Sequence, residues 1–335
     1  MIQQSHLERP AFTRDVNLAS GGLGASIVSV TDDFFADASR MLADTDAVFI
    51  ADKYDDHGKW MDGWESRRRR GPGHDSAVVK LAARGRITGF DVDTSHFTGN
   101  YPPACRIEAC ASEGEPDAAS DWVEVLPMSA LGASAHHFFA CEAAESFTHV
   151  RLHIHPDGGV ARLRVHGRPE LVASAGSETL DLASALNGAR ILAFSDAHYG
   201  SYHRLLAPGR GVNMGDGWET RRRREPGNDW IIVELGARAT LATASIDTAF
   251  YKGNFPESFS IQAADLTGFS DNLEQAVVTS SMFWPELIAR TPLSADAIHD
   301  IGADGLADIG PVTHVRLNIF PDGGVSRLRL FGTLA

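Results

Sequence analysis

The sequence predicts an all-β protein that consists of two tandem β-sandwich domains. Two observations support this class. The chain repeats itself at long range, and each copy contains short segments in which apolar and polar residues alternate between turns rich in glycine and proline. Many short strands joined by such turns are typical of a β-sandwich or jelly roll. The length of 335 residues agrees with about two domains.

The internal repeat is visible in blocks that recur in the same order. Asp62–Arg70 (DGWESRRRR) returns as Asp216–Arg224 (DGWETRRRR), and Pro156–Val160 (PDGGV) returns as Pro321–Val325. Only the lengths between the blocks differ, and a period of about 160 residues is too long for a solenoid of small repeats. The pattern therefore indicates that a whole domain was duplicated.

The extent of the matching blocks sets the domain limits. We predict a first domain at residues 14–168 and a second at residues 180–335. Between them, Arg168–Thr179 contains a proline, a glycine and several small or hydroxylated residues, which is the composition of a connector.

Side-chain alternation predicts individual strands. In His149–His155, three aliphatic residues would face the core, and the arginine and two histidines between them would face the other way. Ile87–Thr94 alternates in a similar manner. The turn residues Asp157–Gly159 then predict a hairpin between His149–His155 and Val160–Val165.

Three local expectations concern the ends of elements. Trp122–Leu126 is predicted to be a strand that ends at Pro127, because proline cannot donate a hydrogen bond to a sheet. Arg40–Leu42 and Ser294–Ile298 are predicted to form short helices.

Charge and composition exclude several classes of protein. A net charge of −14, from 30 basic and 44 acidic residues, argues against a nucleic-acid partner. No apolar stretch approaches the roughly 18 residues of a membrane span. Met1–Thr13 is polar and lacks the apolar core of a signal peptide. We therefore expect a cytoplasmic protein without a membrane segment. The cysteines, Cys105, Cys110 and Cys141, form no C-x-x-C pair and are interpreted as buried, inert thiols.

The first group of residues that could carry chemistry lies in the duplicated block. Trp64 offers a flat apolar wall with one donor, and Arg67 and Arg68 offer forked donors suited to a carboxylate. Asp62 and Glu65 add hydrogen-bonding groups for a substrate. The alternative is a network of acidic residues and arginines that only holds a loop in place.

The second group follows the strand at Ile87–Thr94, where a loop can present polar groups on a rigid scaffold. Asp93 could act as a base or ligand, His96 could transfer protons, and Asn100 could pair with an amide-like group. The alternative is a polar turn with Gly99 at positive φ.

Two histidine motifs complete the set of candidates. His74 and Asp75 are neighbours that could form an acid–base pair or bind a metal, provided that they lie in a loop. His153 and His155 share one strand face and could together hold a metal, although histidines on a surface or between sheets are commoner.

The blocks resemble the signature stretches of the allantoicase family. Gly58–Arg70 and Asp91–Pro102 carry the resemblance in the first copy, and Met214–Arg223 and Gly253–Pro256 in the second. The resemblance covers nearly the whole chain. It implies two jelly-roll domains of the galactose-binding-like type, hydrolysis of allantoate to ureidoglycolate and urea, and a homo-oligomer.

One pair of residues departs from the family pattern. His153 and His155 stand where that pattern has an asparagine and an aromatic residue, as Asn318 and Phe320 are in the second copy. This departure weakens the interpretation of the two histidines as a metal site.

The implied reaction needs an anchor for the substrate's carboxylate and a group that moves a proton. An arginine within Arg67–Arg70 is the candidate anchor, and Asn100 and Asp62 could pair with the ureido groups. His96 or His74 could move the proton, and Asp93 or Asp75 could act as the base. A divalent metal ion could activate water instead, so the cofactor remains open.

The two copies differ at the proton-transfer positions. His74 aligns with Asn228, and His96 aligns with Phe250. We therefore expect catalysis in the first copy, with a composite site between the copies as the alternative. The competing class is a non-enzymatic jelly-roll protein that binds a carbohydrate or another small ligand.

Overall fold

The computed structural model describes residues 9–171, 179–268 and 274–335. The chain divides into two compact units, Met1–Glu170 and Leu171–Ala335. Most of the predicted connector, residues 172–178, lies outside the described residues. Within the described ranges, no helix is long and apolar enough to cross a membrane.

In its described residues, the first unit consists of strands and three short 3₁₀ helices. Its strands are β1 (Val16–Asn17), β2 (Ser26–Val30), β3 (Tyr54–Asp55), β4 (Gly58–Lys59), β5 (Trp64–Glu65), β6 (Asp75–Asp93), β7 (Ala104–Cys110), β8 (Val123–Ala130), β9 (His136–Ala140), β10 (Ser146–His155), β11 (Gly159–Val160) and β12 (Arg162–Pro169). Its 3₁₀ helices are Ala11–Arg14, Gly21–Leu23 and Ala38–Leu42.

Over residues 179–268 and 274–335, the second unit has the same order of long strands and adds one α-helix. Its strands are β13 (Leu180–Asp181), β14 (Arg190–Phe194), β15 (Trp218–Glu219), β16 (Asp229–Asp247), β17 (Ser258–Ala264), β18 (Glu286–Pro292), β19 (Ile298–Ile301), β20 (Val312–Phe320), β21 (Gly324–Val325) and β22 (Arg327–Leu334). Its helices are α1 (Glu274–Ser281) and the 3₁₀ turns Ala185–Asn187, Tyr202–Leu206 and Ala303–Gly305.

A single long strand joins the two layers of the first sandwich. Residues 75–80 of β6 pair with β2 and β10, and its residues 85–93 pair with β12 and β9. One layer therefore has the order β2-β6-β10-β7-β8, and the other β1-β12-β6-β9. In the second unit β16 has the same role, pairing with β14 and β20 and then with β22 and β19. The predicted all-β class with two tandem jelly-roll sandwiches is confirmed.

The alternation predicted for His149–His155 is also confirmed. Val150, Leu152 and Ile154 are buried in the core. Arg151, His153 and His155 lie on the opposite face, where Arg151 and His155 are partly exposed and His153 is buried by its neighbours. Strand geometry thus sorts this segment as its sequence pattern indicates.

The hairpin predicted across Asp157–Gly159 is wrong. β10 and β12 do not pair with each other. β10 pairs mainly with residues 75–80 of β6, and β12 pairs with residues 85–93. The connection between them passes from one layer to the other, and within it β11 pairs with β5. A glycine-rich turn between two strands is a local signal that does not specify the layer of the second strand.

Other element ends also differ from expectation. β8 continues through Pro127 to Ala130, which is tolerated because β8 is an edge strand and one side of it needs no donor. Ser294–Ile298 contains a turn that leads into β19 and is not helical, whereas Arg40–Leu42 lies in a 3₁₀ helix as predicted. The helix α1 was not predicted.

Gly159 is required by close packing. A Cβ at this position would lie 1.9 Å from the ring of Phe97, which is fully buried beside Met61 and Ala161. Gly324 has the same relation to Tyr251 in the second repeat, at 2.1 Å.

We therefore expect Gly159→Ala to lower the free energy of unfolding by about 1–3 kcal/mol, the usual cost of overpacking. Gly99→Ala is the matched control, because a Cβ there meets nothing within 4 Å. Its effect should stay within about 0.5 kcal/mol. Urea denaturation measures both, and equal midpoints for the two variants would contradict the packing argument.

Candidate active site

Loops that carry the duplicated motifs meet at one end of the first sandwich. Residues 156–161 form backbone hydrogen bonds to all of them. These bonds are Ser66 N–H to Gly158 O (3.1 Å), Asp75 N–H to Pro156 O (3.1 Å), Gly159 N–H to Asn100 O (2.7 Å) and Ala161 N–H to Asp93 O (2.8 Å). The structure therefore brings the three groups of candidate residues into one region.

Asp62 is occupied by contacts within the fold. Its carboxylate accepts hydrogen bonds from the buried guanidinium of Arg162 (2.7 Å) and from the backbone of Val48 (2.9 Å). Asp216 binds Arg327 in the same manner in the second repeat (2.8 Å). A contact present in both repeats indicates a role in holding the loop, and it uses one of the two oxygens that were expected to meet the substrate.

Trp64 does not form the wall expected from the sequence. Its side chain is 0% exposed, and its indole N–H donates to the carbonyl of Asp32 (2.8 Å). Trp218 donates to the carbonyl of Asp196 in the same way (2.8 Å). Both tryptophans are core residues, so Trp64 offers no surface to a ligand.

The arginines of the block divide into bound and open side chains. Arg67 pairs with Asp32 (2.6 Å), and Arg69 pairs with Asp75 (2.8 Å), as in the loop-holding network considered above. Arg68 lies 3.6 Å from Asp157, and its side chain is 66% exposed. Arg70 is also exposed, with no ion pair among the residues that the structure describes. Arg68 and Arg70 are therefore the guanidinium groups most available to an anion.

Glu65 and Asn100 are paired with each other. The amide of Asn100 donates to the Glu65 carboxylate (2.7 Å), and Asn254 donates to Glu219 at the same place in the second repeat. Burial raises the pKa of Glu65 above its ordinary value, and the hydrogen bond from Asn100 opposes that rise. The pair closes the loop against β11 in the first repeat and against β21 in the second, so it lines the site but is already partnered.

Asp75 and Asp93 are poorly placed to act as bases. Each is only 2% exposed. Asp75 accepts from the Thr31 hydroxyl (2.9 Å) and from Arg69, and Asp93 accepts from the backbone N–H of Ser95 (2.7 Å). Asp229 and Asp247 repeat these contacts with Ser195, Arg223 and Ala249. The predicted role as base conflicts with this burial.

His96 lies at the left-handed turn after β6. Its φ is 70°, and the aligned Phe250 has a φ of 69°, whereas Gly99 has no positive φ. The His96 Nε2 is 3.1 Å from the Ala47 carbonyl, and its ring stacks on Phe49 with centroids 5.8 Å apart. His96 is partly exposed, so it remains available for proton transfer.

His74 lies in a loop, as its predicted role requires, beside both histidines of β10. Its Nε2 is 2.8 Å from His153 Nδ1, and its ring centroid is 4.2 Å from that of His155. Burial, with Arg106 and Arg69 nearby, lowers the pKa of His74 below the ordinary value. In the described part of the chain, no group of three or more His, Cys, Asp or Glu side chains has the geometry to hold a metal ion.

Some residues of the site were missed by the sequence reasoning. Asp32 aligns with Asp196 next to a hydroxylated residue, so the repeat itself could have identified it. Asp157 lies in the recurring PDGGV block and accepts from the backbone N–H of Arg69 (2.8 Å). Glu108 and Arg106, on β7, carry no such signal, because only strand pairing places them opposite β10.

The fold and the end loops define a class: a protein of two duplicated jelly-roll domains with a polar site at the end of a sandwich. A family model described as the allantoicase repeat matches residues 16–170 and 180–335. The chain belongs to the allantoicase family.

Relatives and solved structures agree over nearly the full length. A probable allantoicase of Rhizobium meliloti is 61% identical, over 96% of this chain and 94% of the relative. A second, probable allantoicase 1 of Burkholderia mallei, is 54% identical over 97% and 96%. The crystal structure of allantoicase from Saccharomyces cerevisiae has a TM-score of 0.80 at 34% identity, and covers 96% of this chain and 94% of its own.

The duplicated aspartates generate a stability prediction. Asp75→Asn and Asp229→Asn should each lower the free energy of unfolding by about 1–3 kcal/mol, because each removes the buried carboxylate that binds an arginine and a hydroxyl group. Thermal or urea denaturation with circular dichroism measures both. If Asp75→Asn is as stable as the parent protein yet inactive, the carboxylate has a chemical role after all.

Proposed function

We propose that this chain hydrolyses allantoate to ureidoglycolate and urea, acting as a hydrolase on a linear amidine-type C–N bond. The observation that carries the proposal is the match of both repeats to allantoicases, at 61% identity over nearly the full length. Release of urea from allantoate by the purified protein tests it directly. A carbohydrate array tests the alternative of a binding module.

The substrate sets the chemistry that the site must supply. Allantoate carries one carboxylate and two ureido groups on a single carbon. Water adds to that carbon, and one ureido group leaves as urea. The water must lose a proton and the leaving nitrogen must gain one, and each correctly placed acid–base group typically contributes about 10²–10⁴-fold to the rate.

The first repeat offers side chains for each of these tasks. The exposed guanidinium groups of Arg68 and Arg70 support a carboxylate anchor at the end loops. His74 is suited to accept a proton, because its lowered pKa keeps it neutral near pH 7. His96 is the second proton-transfer group. The aligned Asn228 and Phe250 cannot transfer protons, which favours the first repeat as the place of catalysis.

Cellular location and assembly are part of the same proposal. A cytoplasmic homo-oligomer is proposed from the composition and the family resemblance, and the acidic net charge of −14 favours a small-molecule substrate over nucleic acid. Light scattering on the purified protein measures the oligomer size.

The anchor hypothesis predicts a selective effect on substrate binding. Arg68→Ala or Arg70→Ala should raise KM for allantoate by about tenfold or more, since a hydrogen bond to a charged group contributes about 1.5–3 kcal/mol. Arg222→Ala and Arg224→Ala are the matched controls in the second repeat. Steady-state kinetics measures all four, and unchanged KM values in the first pair would place the anchor elsewhere.

The role of His96 predicts a loss of turnover. His96→Phe introduces the residue that the second repeat already holds at this turn with the same φ, so the fold should be retained. We expect kcat for urea release to fall by at least about 10²-fold. Phe250→Ala should have a much smaller effect. Full activity of His96→Phe, with folding verified by circular dichroism, would remove this histidine from the mechanism.

A further inference from the structure

A chain of titratable side chains runs across the outer face of the first sandwich. His74 Nε2 lies 2.8 Å from His153 Nδ1, and His153 Nε2 lies 2.7 Å from the Glu108 carboxylate. His153 is only 5% exposed, whereas His74 is partly exposed. The chain therefore joins a partly exposed carboxylate, a buried imidazole and a partly exposed imidazole.

The second repeat has the same chain built from amides. Asn228 donates to Asn318 (3.3 Å), and Asn318 donates to Gln262 (3.1 Å). These residues occupy the positions of His74, His153 and Glu108, which come from the loop before the long strand and from two neighbouring strands. All three positions are titratable in one repeat and amides in the other. Amides preserve the hydrogen bonds but cannot transfer protons.

The two faces also differ in what covers them. In the second repeat Arg316 bonds the Ser281 hydroxyl at the end of α1 (2.7 Å) and packs 4.5 Å from the ring of Trp230. Both Arg316 and Asn318 are buried. In the first repeat Ser76 replaces Trp230, and residues 111–122 form turns where the second repeat has α1. In the first repeat, Arg151 packs 4.2 Å from the ring of Trp122, and His153 is as buried as Asn318. The two chains therefore differ in residue type rather than in exposure.

The charge on Glu108 fixes the direction of the hydrogen bonds. Burial alone would raise its pKa, but hydrogen bonds from Arg106, His153 and Arg151 hold that pKa at about 2. Glu108 therefore only accepts, and His153 must donate from Nε2. A neutral His153 then accepts at Nδ1, so His74 donates from Nε2. The lone pair of His74 lies on Nδ1, which has no partner among the described residues.

We propose that His74 is the catalytic base of the hydrolysis through Nδ1, and that His153 and Glu108 are positioning residues that hold its tautomer. This inference rests on the proposed function. An O–H bond of the attacking water breaks, and its proton forms the Nδ1–H bond of His74. The oxygen bonds to the central carbon as the C–N bond to the leaving ureido group breaks. The leaving nitrogen keeps the electron pair and takes a proton from His96, and solvent restores both histidines.

Protonation at Nδ1 leaves the rest of the chain intact. His74 Nε2 still donates to His153, so the imidazolium keeps its orientation. The charged and titratable groups around His74 are Arg69 and Asp75 from its own segment, Arg106 and Glu108 from β7, and His153 and His155 from β10. Burial and the arginines lower the pKa of His74, while Asp75 and Glu108 raise it.

The role of His74 as a base predicts how kcat/KM depends on pH. The base must be neutral, so on the acid side of the profile kcat/KM should fall as the pH drops below the pKa of His74. That acid limb should lie below about pH 6.5, the unperturbed value for histidine. Glu108→Gln removes a charge that favours protonation of His74, so the limb should move to lower pH. If His74 were not the base, the acid limb would not respond to this charge.

Two of the variants, His74→Asn and His153→Asn, introduce the residue that the second repeat has at the same position. His74→Asn should lower kcat by at least about 10²-fold, while Asn228→Ala should leave it unchanged. His153→Leu removes both hydrogen bonds and should cost about tenfold or more in kcat, the equivalent of one interaction of about 1.4 kcal/mol. His153→Asn restores an acceptor and a donor, as Asn318 does, and should recover most of that loss. Equal losses in the two His153 variants, or an active His74→Asn, would overturn the proposal.

A measurement of the histidine tautomers needs no substrate, so it tests the hydrogen-bond chain separately from the proposed function. With ¹⁵N-labelled histidine, the nitrogen signals absent from His74→Asn identify His74 in the parent protein. We expect the Nε2–H tautomer alone, and a mixture of tautomers in His153→Leu. If the parent protein releases no urea but shows this tautomer pattern, the substrate is wrong and the hydrogen-bond chain stands. A mixture of tautomers in an active parent protein would refute the positioning role alone.

Discussion

The structure of each repeat depends on one strand that pairs in both layers. A straight strand of 19 residues would span about 60 Å. The ends of β6 are instead tied to Pro156 and Ala161, which chain length keeps within about 18 Å of each other. The strand must therefore fold back between the layers. That return places the loops before and after β6 at one end of the sandwich.

Ion pairs then fix the geometry of these loops. Arg162 is buried and satisfied by Asp62, and Arg69 is held by Asp75. Such pairs contribute little net stability compared with apolar packing, but loss of one partner leaves an uncompensated charge in the interior. The same pairs recur in the second repeat as Arg327 with Asp216 and Arg223 with Asp229. The presence of a contact in both repeats therefore separates residues that hold the scaffold from residues available for chemistry.

Because the domain is duplicated, each position in one repeat can be compared with its counterpart in the other. The two sandwiches share strand order, loop ties and buried tryptophans. The middle residue of the polar chain is buried in both, since His153 is 5% exposed and Asn318 is 6% exposed. The asymmetry that favours catalysis in the first repeat is therefore one of residue type, because imidazoles can transfer protons and amides cannot.

The sequence by itself determined the β class, the duplication and the inward faces of strands such as β10, because these depend on local alternation and on recurring blocks. It located the end-loop motifs but not their roles, since Trp64 and Asp75 turned out to be buried. Only the tertiary structure decided that β10 and β12 lie in different layers and that Glu108 meets His153. Those facts depend on which strands become neighbours, and strand pairing is set by the packing of segments far apart in the chain rather than by any short pattern.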